Sequence, residues 1–378
     1  MHNLPKNKNS TYLIVETGEI FPGIGYGAKI SVLGELVFNT SITGYQEVIT
    51  DPSYKEQIVV FTYPHIGNIG TCDLDNESHQ VWPKAIITRE LPTKASNWRS
   101  KKNFKEYLLE NKLPGIAEID TRKLTKKIRD CGNLIAMVVR DQLTPQDALK
   151  QILLYKNAKL KILGKFSSNE RTKNITGCYH NNNINNLNIL VIDFGCKSSI
   201  LKILEKLECK ISVLNSDASF VEVKNTNPSG VVLSNGPGNP ESYISAITLI
   251  KEIIKEKIPI LGICLGHQLL GIALGGKIQK LHFGHHGTNH PVKDLVNNKV
   301  FITSQNHNYV ITKTNLPSSI LITHLSLFDN SIQGFMDKKH LFIGFQGHPE
   351  GGPGPTDIQN NIVERFIIAV KRGKHIFK

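Results

Sequence analysis

Cys264 lies in Gly262-Ile263-Cys264-Leu265-Gly266, between an apolar, β-branched run (258–263) and leucines at 265, 269, 270 and 274. The run predicts a buried parallel strand, and the leucine spacing predicts a helix that follows it at once. A strand that reverses directly into a helix strains the residue at the corner and tolerates only small neighbours. This is the logic of the nucleophile elbow, here with a thiol in place of a hydroxyl. A thiol so placed stands at a helix N-terminus, where unpaired N–H groups favour a thiolate and the Leu265 N–H can serve an oxyanion. The competing reading of these five residues is a buried structural cysteine in an ordinary turn.

A nucleophilic cysteine needs a base, and the base needs an orienter. Gln346-Gly347-His348-Pro349-Glu350 follows the strand-like run 342–345. His348 can take the thiol proton, and Glu350 can hold the imidazole tautomer, with Pro349 stiffening the segment between them. A third segment, Ser234-Asn235-Gly236-Pro237-Gly238-Asn239-Pro240, follows another apolar run, 230–233. Its turn-formers expose backbone N–H groups, and Gly238 is the candidate second oxyanion donor.

The elements that must position these segments alternate strand and helix from residue 188 onward. Strands are expected at 189–193, 211–214, 230–233, 258–263, 300–303, 321–323 and 342–345. Helices are expected at 198–207, 244–257, after Leu265, and at 357–370. Repeated units of this kind imply an α/β fold with a doubly wound, mostly parallel sheet, and ligands at the carboxyl ends of its strands. The N-terminal part reads as a β-rich α+β domain. Its strand signals fall near 11–16, 19–21, 35–39, 57–61, 84–88 and 133–139, and short helices are expected at 104–109, 121–129 and 144–154. Asp120 is the expected cap of the second helix and Gly132 its stop. Residues 156–187 dissolve into Lys, Asn, Ser and Gly and read as a linker. The expected domains are therefore 1–155 and 188–378.

At 378 residues the chain is long enough for two cores. No apolar run approaches membrane-spanning length, and the N-terminus lacks a signal-peptide core. Six cysteines without C-x-x-C spacing fit a reducing compartment and disfavour structural zinc. The net charge of +13 comes mostly from Lys scattered among Asn and Ile, with no basic motif interleaved with aromatics, so neither a nucleic-acid nor a membrane partner is expected. That bias suggests an AT-rich coding genome: plastid stroma (chloroplast) if the chain is organelle-encoded, bacterial cytoplasm otherwise. His282, His285, His286 and His290 lack acidic or thiolate companions, so they are expected in a hydrogen-bonding loop rather than a metal site.

Together, the segments around Cys264, Gly236 and His348 closely resemble the class I (triad) glutamine amidotransferases, whose GICLGHQ and NGPG motifs stand here unchanged. Residues 38–68 (FNTSITGYQEVITDPSYKEQIVVFTYPHIGN), 115–129 (GIAEIDTRKLTKKIR), 283–292 and 305–307 narrow the resemblance to small, glutamine-hydrolysing subunits of carbamoyl-phosphate synthase. The resemblance implies a triad of Cys264, His348 and Glu350. It implies L-glutamine contacts from Ser53, Gly236, Gly238, Leu265, Gln268 and Asn306, and from Asn308-Tyr309 where the family usually has Gly-Phe. Asn at 308 is expected to tolerate a left-handed backbone there. The resemblance further implies a separate large subunit, in a heterodimer or higher oligomer, that binds ATP and magnesium and makes carbamoyl phosphate for arginine and pyrimidine synthesis. No cofactor is expected on this chain, which has no P-loop. The rivals are an amidotransferase subunit of another synthetase and a stand-alone γ-glutamyl hydrolase.

Overall fold

The computed structural model describes residues 11–371 apart from 93, 163–177, 180–186 and 338. The chain divides into two units: residues 1–165 with 282–286, and residues 166–281 with 287–378.

The first unit is built on a closed barrel. Its strands are β1 (Thr11–Val15), β2 (Ile20–Gly27), β3 (Val32–Asn39), β4 (Gln57–Phe61), β5 (Ala85–Ile87), β6 (Pro114–Ala117) and β7 (Leu134–Val139), closed in the order β1-β2-β6-β5-β4-β3-β7. The pairs from β3 through β4 and β5 to β6 are parallel, and the others antiparallel. Parallel neighbours need a crossover. Helix α1 (Tyr45–Thr50) lies in the one between β3 and β4, and α2 (Phe104–Glu110) in the one between β5 and β6. Strand alternation sorts the side chains. Leu13, Val15, Ile58, Val60, Val138 and their like from every strand meet in one cluster, joined by Leu124 and Ile128 of α3 (Thr121–Cys131). Their sequence neighbours Val59 and Phe61 pack instead with α1 and α2, and Tyr12 and Ile14 pack with Ala148 and Ile152 of α4 (Pro145–Ile162). Asp120 caps α3 as expected, accepting the Lys123 N–H at 3.0 Å.

The second unit is a ten-stranded sheet. Its strands are β8 (Cys178–Tyr179), β9 (Asn188–Asp193), β10 (Lys210–Asn215), β11 (Gly230–Leu233), β12 (Ile260–Ile263), β13 (Lys277–Asp294), β14 (Lys299–Thr312), β15 (Leu321–Ser326), β16 (Ile332–Asp337) and β17 (Phe342–Phe345). The order is β14-β13-β15-β16-β17-β12-β11-β9-β10-β8. Its centre, β17-β12-β11-β9-β10, is parallel, as the strand–helix alternation requires. The helices are α5 (Ser198–Lys206), α6 (Phe220–Asn225), α7 (Ile244–Lys255), α8 (Leu265–Ala273) and α9 (Arg365–Lys371). Ile189 and Val191 face the cluster of α5 and α9, while Leu190 and Ile192 face that of α7 and α8. Both faces are thus covered, which is why these strands read as unbroken apolar runs.

Three expectations change, and antiparallel strands extend the expected sheet. Helix α4 continues to Ile162 rather than ending at 154. Of the expected linker, 163–177 and 180–186 lie outside the described residues, and Cys178–Tyr179 pairs as an edge strand with β10. The sheet continues past its parallel centre into β16, β15 and β13, which pair antiparallel. The histidine-rich stretch 282–290 is no loop but part of the long strand β13, and residues 282–286 count with the first unit. There the His286 carbonyl accepts the Thr40 N–H at 3.0 Å, and the His282 carbonyl accepts the Asn133 N–H at 3.2 Å. Among the described residues, no helix is long and apolar enough to cross a membrane.

If Asp120 is a cap and nothing more, Asp120→Ala should cost about 1 kcal/mol of stability in urea unfolding and leave activity unchanged.

Candidate active site

Parallel register brings the carboxyl ends of β9, β11, β12 and β17 to one edge of the second unit. Leu233 pairs with Ile192 and Gly262, and Ile263 pairs with Phe345. Cys264 directly follows β12 and precedes α8. Its backbone has φ 52° and ψ −105°, the strained corner that the motif predicts. The Phe345 carbonyl accepts the Cys264 N–H at 2.9 Å, and the Cys264 carbonyl opens the α8 ladder by accepting from Gln268 N–H at 3.1 Å. The flanking glycines are required by space. A Cβ on Gly262 would lie 2.5 Å from the Gly266 carbonyl oxygen, and one on Gly266 would lie 2.2 Å from that of Leu233.

His348 and Glu350 follow β17 at the same edge. His348 Nδ1 and Glu350 Oε1 are 2.6 Å apart, both groups are buried, and the His348 N–H donates to the Ser304 carbonyl at 2.9 Å. A carboxylate at Nδ1 fixes the tautomer and turns Nε2 toward the reaction. Burial alone would depress the imidazole, but the charges of Glu350 and Cys264 outweigh it and hold His348 well above its ordinary 6.5. The resting pair is therefore charged, with the base already protonated.

Lys197, which the sequence reading passed over, completes the arrangement. It follows β9, is 2% exposed, and donates from Nζ to Glu350 Oε1 at 3.0 Å and to the Gly351 carbonyl at 2.6 Å. Burial would raise the Glu350 carboxyl, but Lys197 first and then His348 hold it well below the usual carboxylate range. The only signal in the sequence was a lysine just past a strand predicted to be parallel, among scores of other charges.

The remaining predicted residues divide by unit. Gly236 is closed in by the Phe194 carbonyl, 2.4 Å from where its Cβ would be, whereas Gly238 has φ +91° and open space beside it. The Ser234 carbonyl accepts the Gly266 N–H at 3.0 Å, which ties this segment to the start of α8. Leu265 is the first residue of α8. Gln268 Nε2 donates to the Tyr309 carbonyl at 2.7 Å, and the Asn306 carbonyl lies 3.5 Å from Cys264 Sγ. Asn306, Asn308 and Tyr309 all lie within β14, and Asn308 has no positive φ. An extended strand makes no use of the tolerance of Asn for a left-handed backbone. Ser53 belongs to the first unit, in a buried turn where its N–H donates to Asp51 Oδ1 at 2.9 Å.

Comparison with known proteins agrees with this geometry. Residues 190–370 match the family described as "Glutamine amidotransferase class-I", and residues 13–138 match "Carbamoyl-phosphate synthase small chain, CPSase domain". A "Carbamoyl phosphate synthase small chain" of Wigglesworthia glossinidia brevipalpis is 47% identical over 98% of this chain and 98% of its own length. That of Haemophilus ducreyi is 41% identical over 97% and 99%, and that of Buchnera aphidicola subsp. Baizongia pistaciae 43% over 98% and 97%. The chain belongs to the carbamoyl-phosphate synthase small-chain family. It is accordingly the glutamine-hydrolysing subunit of that enzyme, and the rival assignments to another synthetase or to a stand-alone hydrolase fall away.

Gly266→Ala should destabilise the small chain by about 1–3 kcal/mol through overpacking, read as a lower urea midpoint. The charged trio should also shape the pH dependence. His348, raised in the folded state, contributes stability that is complete below 6.5 and lost as pH rises through its folded value. Glu350, lowered, contributes stability that is complete above 4.5 and lost as pH falls. Unfolding followed against pH should show both contributions in full between those limits. Lys197→Met should cost about 3–5 kcal/mol and move the acid limb to higher pH; an unmoved acid limb would contradict the assigned role.

Proposed function

We propose that this small chain hydrolyses L-glutamine through a γ-glutamyl thioester on Cys264 and hands the ammonia to a separate large subunit. The observation that carries the reading is the buried His348–Glu350 pair at the same sheet edge as a strained, helix-capping cysteine. The Cys264 thiolate attacks the side-chain amide carbon of glutamine. The N–H groups of Leu265 and Gly238 stabilise the resulting oxyanion, each such donor being worth roughly 3 kcal/mol of transition-state stabilisation. Protonated His348 gives its proton to the departing ammonia, and neutral His348 then takes one from the water that releases glutamate. Glu350 keeps the ring oriented throughout, with Lys197 as its counter-charge. Gln268, Asn306, Tyr309, Asn308 and the Gly236 segment hold the substrate.

The partner is the large subunit, which binds ATP and magnesium and combines ammonia with bicarbonate into carbamoyl phosphate for arginine and pyrimidine synthesis. The barrel unit supplies much of the surface for that partner. The relatives named above are bacterial, which favours bacterial cytoplasm over plastid stroma as the working compartment.

Purified with a large subunit, Cys264→Ala should lose glutamine-dependent carbamoyl phosphate synthesis and keep ammonia-dependent synthesis. Loss of both would move Cys264 from chemistry to structure, and synthesis by the small chain alone would overturn the division of labour.

A further inference from the structure

Gln346 is fully buried, directly after β17 and two residues before His348. Its N–H donates to the Gln333 carbonyl at 2.8 Å, so its backbone is fixed. Its side chain reaches across to the elbow, where Nε2 lies 3.8 Å from Cys264 Sγ and Oε1 accepts from Gln268 Nε2 at 3.1 Å. None of the roles assigned above uses it.

Which end of each amide faces which neighbour is set by one backbone carbonyl. The Tyr309 oxygen can only accept, so Gln268 must turn its nitrogen toward it. The same nitrogen also meets Gln346, so Gln346 must present its oxygen there. That leaves the Gln346 nitrogen, a donor only, for the sulfur. Rotating either amide would set oxygen against oxygen or nitrogen against nitrogen along the chain. The Asn306 carbonyl also meets the sulfur and accepts from the thiol, a partner that serves S–H and opposes S⁻. Gln346 is thus the neighbour whose hydrogen bond survives, and strengthens, when the proton leaves. Both Gln268 N–H groups are meanwhile occupied, which leaves only its Oε1 to meet a substrate.

We infer that Gln346 is a positioning residue with two separable tasks: its N–H₂ holds the Cys264 thiolate, and its carbonyl locks the amide of Gln268. This rests on the reading of Cys264 as nucleophile and Gln268 as a glutamine contact.

The test uses the full small chain assembled with its large subunit and two variants of similar volume. Gln346→Met removes both tasks. Gln346→Glu keeps an oxygen for Gln268 and removes the donor to sulfur. The readouts are iodoacetamide alkylation at neutral pH, followed on the peptide carrying Cys264, the KM for glutamine, and ammonia-dependent synthesis as a check on folding. Alkylation should slow about tenfold in both variants, the loss expected for one N–H donor to a charged acceptor. KM should rise severalfold in Gln346→Met and stay near the parent value in Gln346→Glu. Ammonia-dependent synthesis should persist in both. Unchanged alkylation and KM in Gln346→Met would overturn the inference, as would loss of ammonia-dependent synthesis in both variants, which would make Gln346 a packing residue. The alkylation rate does not depend on turnover, so failure of the parent chain to hydrolyse glutamine would be recognised separately, as failure of the underlying reading.

Discussion

A polypeptide that runs along a central strand and must enter a helix with no intervening loop has one residue in which to turn. Here that residue is Cys264, with a positive φ that a side chain other than glycine's adopts at a cost of about 1–3 kcal/mol. The cost is met by packing that leaves no alternative: Gly262 and Gly266 touch backbone oxygens where any Cβ would collide, and β12 is fixed between β11 and β17. The sulfur is therefore placed by the sheet and not by a flexible segment.

The second constraint is electrostatic. Three charged side chains, Lys197, Glu350 and His348, are buried together at the sheet edge that carries Cys264. Any one of them alone would be expelled or neutralised, because taking a lone charge out of water is costly. As a chain of hydrogen-bonded pairs they persist, and the imidazole is held protonated. Gln346 adds an uncharged donor to the same sulfur. An ordered array of donors that need not reorganise when charge develops is what an acyl-transfer site requires.

The barrel unit follows a different logic. Its seven strands close on themselves, so no edge is left exposed, and α1, α2 and α4 cover faces that alternate residues leave apolar. That five residues of β13 count with this unit shows that the division of the chain is not a single cut in sequence. The segment is bound there by backbone pairing at Thr40 and Asn133 and by contact of Phe283 with Phe38, their ring centroids 5.9 Å apart.

Much of this was legible from residue order. Strand and helix periodicity, the cap at Asp120, the elbow, and the His-Pro-Glu segment all depend on neighbours within a few positions, and local spacing encodes them directly. What eluded the sequence depends on residues far apart in the chain. Lys197 and Glu350 are 153 positions apart, and Gln346 and Cys264 are 82 apart, so no local pattern marks either pair. The strand through 282–290 was likewise missed, because its consecutive buried residues, Gly284 to Gly287, are glycine and histidine and carry no alternating hydropathy. By itself the sequence determined which atoms could react and which elements would carry them. Tertiary structure alone decided which buried charges and amides close around the sulfur, because those choices are made by packing between strands that share no stretch of chain.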